Sequence, residues 1–78
     1  MFTKDFERKP TSAQIAAVLT QAREEGYSLA EVTRGESGYQ YHLNRVSNQW
    51  QFYCAPGGGH TITHTCAMKA LTIANGAR

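Results

Sequence analysis

From Gly38 to Cys54 the chain alternates with a period of two. Tyr39, Tyr41, Leu43 and Arg45 interleave with Gln40, His42, Asn44 and Val46; beyond Ser47-Asn48, Trp50, Phe52 and Cys54 interleave with Gln49, Gln51 and Tyr53. Successive side chains of a strand leave opposite faces of the pleat, so this alternation predicts two strands joined as an antiparallel hairpin. A two-residue loop at Ser47-Asn48, or a four-residue loop around it, sets Leu43 opposite Phe52, Tyr41 opposite Cys54 and Arg45 opposite Trp50. A one-residue slip would set apolar against polar throughout, so the pattern itself is expected to fix the register.

The segment SLAEVTR, residues 28–34, precedes Gly35-Glu36-Ser37-Gly38. A four-residue turn there sets Val32 opposite Tyr41 and Ala30 opposite Leu43, on the same inner side, with Glu31 facing His42 outside. Both hairpins choose one buried face, which predicts a three-stranded antiparallel meander. The remaining pattern is helical. Thr11 with Gln14 makes a capping box, and Ile15, Val18, Leu19 and Ala22 follow at helical spacing, so residues 11–25 predict a helix that stops at Gly26. Ile62, Cys66, Ala67, Ala70, Leu71 and Ala74 form a second stripe, predicting a helix from about residue 63 to Ala74 capped by Thr61, Thr63 or Thr65 and closed by Asn75-Gly76. A short fourth strand at 60–64 is the alternative for the β-branched run HTITHTC. Residues 1–10 read as a charged arm, pinned by Phe2 and Phe6, ahead of a single domain over 11–76. The expected fold is α+β, in the order α-β-β-β-α, with two helices on one sheet face.

Size and charge narrow the function. A chain of 78 residues has little material to wall a deep ligand cavity, which argues against an enzyme. The formal charge of +2 is unevenly divided: residues 1–36 carry five Lys/Arg against six carboxylates, whereas 37–78 carry Arg45, Lys69 and Arg78 and no carboxylate. Three cations are few for a nucleic-acid binder, which gathers them on one face. The first nine residues, MFTKDFERK, lack an apolar signal core, and no run reaches membrane-spanning length. With two cysteines only, the expectation is a cytoplasmic protein with free thiols and no membrane partner.

Cys54, His60, His64 and Cys66 bring four zinc-type ligands within thirteen residues. Their spacing lacks the CxxC knuckle of zinc motifs, and the alternative places both cysteines in the core. Cys54 as a nucleophile with a histidine base would need an exposed, electropositive setting, yet the register turns it inward. Gly57-Gly58-Gly59 ahead of a helix suggests an anion loop, but the GxxxxGK[ST] pattern is missing. No cofactor is expected.

The order α-β-β-β-α over residues 11–76 resembles the double-stranded RNA-binding domain in topology. That family grips RNA through a histidine in the first strand loop and lysines at the start of its last helix. Here the corresponding positions read Gly35-Glu36-Ser37-Gly38 and His60-Thr61-Ile62-Thr63-His64, so the resemblance implies the fold without the RNA grip. In size and style the chain also resembles the small inhibitors of phages and mobile elements, anti-CRISPR proteins among them, which act by covering a partner's working surface.

The expectation is therefore a non-enzymatic binding module docking on a macromolecule, a protein first. Its contact surface would be the polar outer sheet face, Gln40, His42, Asn44, Gln49, Gln51 and Tyr53, with an Arg45/Trp50 stack at its rim. The alternative is a nucleic-acid binder using Arg45, Lys69, Arg78 and the loop from His60 to His64; a zinc module is third.

Overall fold

The computed structural model describes the backbone of residues 1–58 and 61–76 and the side chains of 1–53 and 61–76. The elements run β1 (Phe2–Asp5), α1 (Ser12–Glu24), β2 (Leu29–Arg34), β3 (Ser37–Asn44), β4 (Gln49–Gly58) and α2 (His64–Ala74). The strands form one sheet in the order β1-β2-β3-β4. β2, β3 and β4 are the expected antiparallel meander. β1 adds a fourth strand, parallel to β2, so the sheet is mixed.

Residues 2–5, expected as part of a charged arm, thus belong to the sheet. Parallel neighbours need a long crossover, and α1 supplies it, making β1-α1-β2 a βαβ unit. The strand is short and carries Lys4 and Asp5, so its alternation of Phe2, Lys4 and Phe6 is too brief to stand out from a solvated arm. Phe2 and Phe6 do pack against the core, half-buried. The alternative fourth strand at 60–64 does not form among the described residues, where 61–63 are irregular and α2 begins at His64.

Both helix starts follow from local chemistry. Thr11 Oγ1 accepts from the Gln14 amide at 3.1 Å while Gln14 Oε1 accepts from the Thr11 amide at 2.8 Å, closing the capping box. Thr63 caps α2, its Oγ1 accepting from the Cys66 amide at 3.1 Å. Each such cap satisfies backbone donors that the first helical turn leaves open.

The sheet's inner face is the expected one. Ala30, Val32, Tyr41, Leu43 and Trp50 are buried with Ile15, Leu19 and Ala22 of α1 and Ala67, Ala70 and Ala74 of α2, and Phe52 packs half-buried against them. Tyr41 stacks on Phe52 with ring centroids 5.5 Å apart, and its hydroxyl donates to the Ala67 carbonyl of α2 at 3.4 Å. Burial, helped by the neighbouring Cys66 and Tyr39 groups, pushes the Tyr41 phenol well above its usual pKa, so it stays a neutral donor.

The register differs from expectation by two residues in both hairpins. Val32 pairs with Tyr39 and Ala30 with Tyr41; Leu43 pairs with Trp50 and Tyr41 with Phe52. A slip of two keeps every side chain on its face, so hydrophobic alternation cannot detect it; the turns decide. Gly35, at φ +59°, lets Gly35-Glu36 close the first hairpin in two residues. In the second, residues 45–48 form a four-residue loop. Asn44 Oδ1 accepts from the Val46 and Ser47 amides at 2.9 and 3.3 Å, and Asn48 adopts φ +58°. Gly35→Ala meets no atom within 4 Å, so its effect is purely backbone: about 1 kcal/mol of lost stability, read as a lower urea midpoint.

Candidate functional site

α1 and α2 both pack on the inner face, so neither helix covers the outer one. Leu29, Glu31 and Thr33 of β2 lie there opposite His42, Gln40 and Gly38 of β3, and β4 adds Gln49, Gln51 and Tyr53. His42, Gln49, Gln51 and Tyr53 are exposed, Tyr53 by 62%. The His42 and Tyr53 rings lean together, centroids 6.3 Å apart at 41°. Leu29 is half-buried beside His42, with which it is in register. The centre of the face is thus a small apolar and aromatic patch set among amides.

Polar neighbours hold the two carboxylates of this face in place. Gln40 Nε2 donates to Glu31 Oε2 at 2.8 Å, and Thr33 Oγ1 donates to Asp5 Oδ1 at 2.7 Å. Glu31 therefore meets Gln40 rather than the expected His42, a direct result of the two-residue register difference.

The expected sites separate into three groups. Gln40, His42, Gln49, Gln51 and Tyr53 share the outer face. Asn44 lies on that face too, half-buried, but its side-chain oxygen is committed to the hairpin turn. Arg45 and Trp50 do not form a rim. Arg45 sits in the turn and fastens it to the loop after α1, donating from Nε to Ser28 Oγ at 2.9 Å and from a terminal nitrogen to the Gly26 carbonyl at 2.7 Å. Trp50 is only 1% exposed and belongs to the core. Trp50 shares the face of Phe52 in either register; the two-residue difference moves it from beside Arg45 at the end of the sheet to beside Leu43, within the core.

Two contributors were not anticipated. Asp5 enters the face because β1 pairs with β2. Leu29 was legible, since Ala30 and Val32 inside force it outside by parity, but a leucine at a strand start does not advertise exposure.

Of the four metal candidates, only His64 and Cys66 have described side chains. Cys54 and His60 fall outside the described side chains, as do Arg78 and the Gly57-Gly58-Gly59 loop. His64 stacks on Phe52, centroids 5.5 Å apart. Cys66, half-buried, accepts from Ser12 Oγ at 3.4 Å and approaches the Pro10 carbonyl at 3.8 Å. Among the described residues no group of three or more His, Cys, Asp or Glu side chains is placed to hold a metal ion. No described helix is long and apolar enough to cross a membrane.

No family model, no curated protein and no solved structure matches this chain.

Proposed function

We propose that this protein is a non-enzymatic binding module that docks on another protein through the outer sheet face, in the manner of small phage- or mobile-element-encoded inhibitors that occlude a partner's surface. The observation that supports this reading is the uncovered patch of Leu29, His42 and Tyr53, set among the Gln40, Gln49 and Gln51 amides, on a sheet whose other face is occupied by both helices. Partly apolar aromatic side chains on a rigid strand lose little entropy on binding and serve as anchors.

Exposed rings on an open sheet also favour a second reading, stacking of single-stranded bases. Charge weighs against it. The face carries Asp5 and Glu31, whereas the nearby cations are directed elsewhere: Arg45 to Gly26 and Ser28, and Arg34 to Thr61 Oγ1 at 3.4 Å. A phosphate backbone would meet carboxylates where it needs lysines and arginines.

Paired captures from host lysate test the proposal. His42→Ala with Tyr53→Ala, in a variant whose circular dichroism matches the parent, should weaken recovery of a bound protein about tenfold or more. Met68→Ala with Ile73→Ala, on the exposed side of α2, should leave recovery unchanged. The reverse pattern would remove the outer face from consideration.

A further inference from the structure

We infer that the segment received by the outer face is cationic: a stretch of protein bearing arginine or lysine beside a small apolar or aromatic anchor. This rests on the docking reading above and adds the partner's chemistry to it.

The electrostatics of the face are one-sided. Asp5 and Glu31 stand on neighbouring strands, offset by two residues along the register, and both belong to the outer side. Each gives one carboxylate oxygen to a neutral neighbour, Asp5 to Thr33 and Glu31 to Gln40. Their second oxygens accept no hydrogen bond among the described residues. Thr33 and Gln40 thus fix the carboxylates without neutralising them.

The basic residues of the strands and of the second hairpin turn are directed elsewhere. Lys4 pairs in register with Val32, on the other side of the sheet, and its ammonium lies 5.7 Å from the Phe6 ring centre. Arg34 and Arg45 are engaged as described above. Among the described strand residues no lysine or arginine lies on the outer face, so the strands themselves bring it two carboxylates and no cation, although the whole chain is formally +2.

An arginine is the natural complement. Its planar guanidinium accommodates a carboxylate and stacks on an aromatic ring. Glu31 on β2 and Tyr53 on β4 are separated by the width of two strand spacings, about 10 Å. A short extended segment spans that gap, placing one cation at Glu31 and another, or an apolar anchor, over His42 and Tyr53. Exposed charge pairs contribute little each and act mainly through association rate and the exclusion of wrong partners. The carboxylates therefore select the partner, while Leu29, His42 and Tyr53 provide the contact.

Amide shifts of the isotopically labelled protein test this with three probes at low salt: octaarginine, octaglutamate and a single-stranded oligothymidine. Octaarginine should move the amides of Leu29, Glu31, His42 and Tyr53, and the other two probes should not. Asp5→Asn combined with Glu31→Gln should weaken octaarginine binding about tenfold, and raised salt should abolish the difference between variant and parent. Octaarginine shifts centred on Glu24 and Glu25 of α1 would overturn the inference, as would oligothymidine shifts on the outer face or an unchanged affinity in the Asp5→Asn, Glu31→Gln variant. The docking reading fails separately. If the lysate partner still needs His42 and Tyr53 but ignores the two carboxylates, the face binds and only its cation preference is wrong.

Discussion

Leu43→Ala should lower stability by about 3 kcal/mol in urea denaturation, while Gln51→Ala, on the neighbouring strand, should stay within about 0.5 kcal/mol of the parent. Leu43 is fully buried between the helix layer and its strand neighbours Tyr41 and Trp50, so truncation loses both burial and packing. Gln51 points to water on the opposite side. Natural domains of this size sit near the lower end of a 5–15 kcal/mol range, roughly 5 kcal/mol, so the Leu43 variant would retain less than half its stability. The contrast tests the facing of the sheet rather than its existence. A large loss at Gln51 with a small one at Leu43 would mean that the sheet is turned over.

Asn75→Ala is the second variant with a large expected effect. Asn75 follows α2 as its C-cap, and its side-chain amide pairs with both backbone groups of Trp50: Oδ1 accepts from the Trp50 amide at 2.7 Å, and Nδ2 donates to the Trp50 carbonyl at 3.0 Å. The side chain does what a residue of a further strand would do, at the open edge of the sheet beside β4. Removing it deletes two partly buried hydrogen bonds, an expected loss of about 2 kcal/mol. Asn75→Asp keeps the acceptor for the Trp50 amide but sets a carboxylate oxygen against its carbonyl, so it should recover no more than half. The same change uncovers part of an edge strand that carries no charged residue between Gln49 and Gly58, and unpaired uncharged edges invite association. Sedimentation of the alanine variant should show concentration-dependent self-association that the parent lacks. An unaltered midpoint and an unaltered sedimentation profile would together mean that Asn75 is a helix stop and nothing more.

Asn75 also marks the limit of what the sequence reveals. Its place after a helical stripe and before a glycine was legible, but its partner, 25 residues earlier, was not. Local rules carried the reading wherever the cause was local: the Thr11 and Gln14 box, a threonine cap for α2 narrowed to three candidates of which Thr63 is the one used, and the alternation that put Tyr41 and Leu43 inside. They failed where two arrangements were equivalent in pattern. A shift of two residues in either hairpin preserves every face, and only the backbone of Gly35 and of Asn44 to Asn48 breaks the tie. The consequence was largest at Trp50, whose expected exposure followed from pairing it with Arg45. β1 was hidden for another reason: four residues with two charges hold their place through α1 returning beside them. The amide-rich half of the candidate site was therefore legible from alternation alone. Of its two carboxylates, Glu31 was placed on the outer face by the same alternation, whereas Asp5 was not legible, because it reaches the face only through β1.

Trp50 offers the most direct test, since it is the single tryptophan of the chain and lies on the strand whose register decides which residues remain outside. Acrylamide quenching of its fluorescence, compared between native protein and protein unfolded in urea, reads its exposure without any substitution. An indole sealed beneath the helices gives blue-shifted native emission and quenching several-fold weaker than in the unfolded chain. Native quenching as strong as the unfolded value would place Trp50 at the surface, and with it would go the inner face, the open outer face and the contact surface built on them.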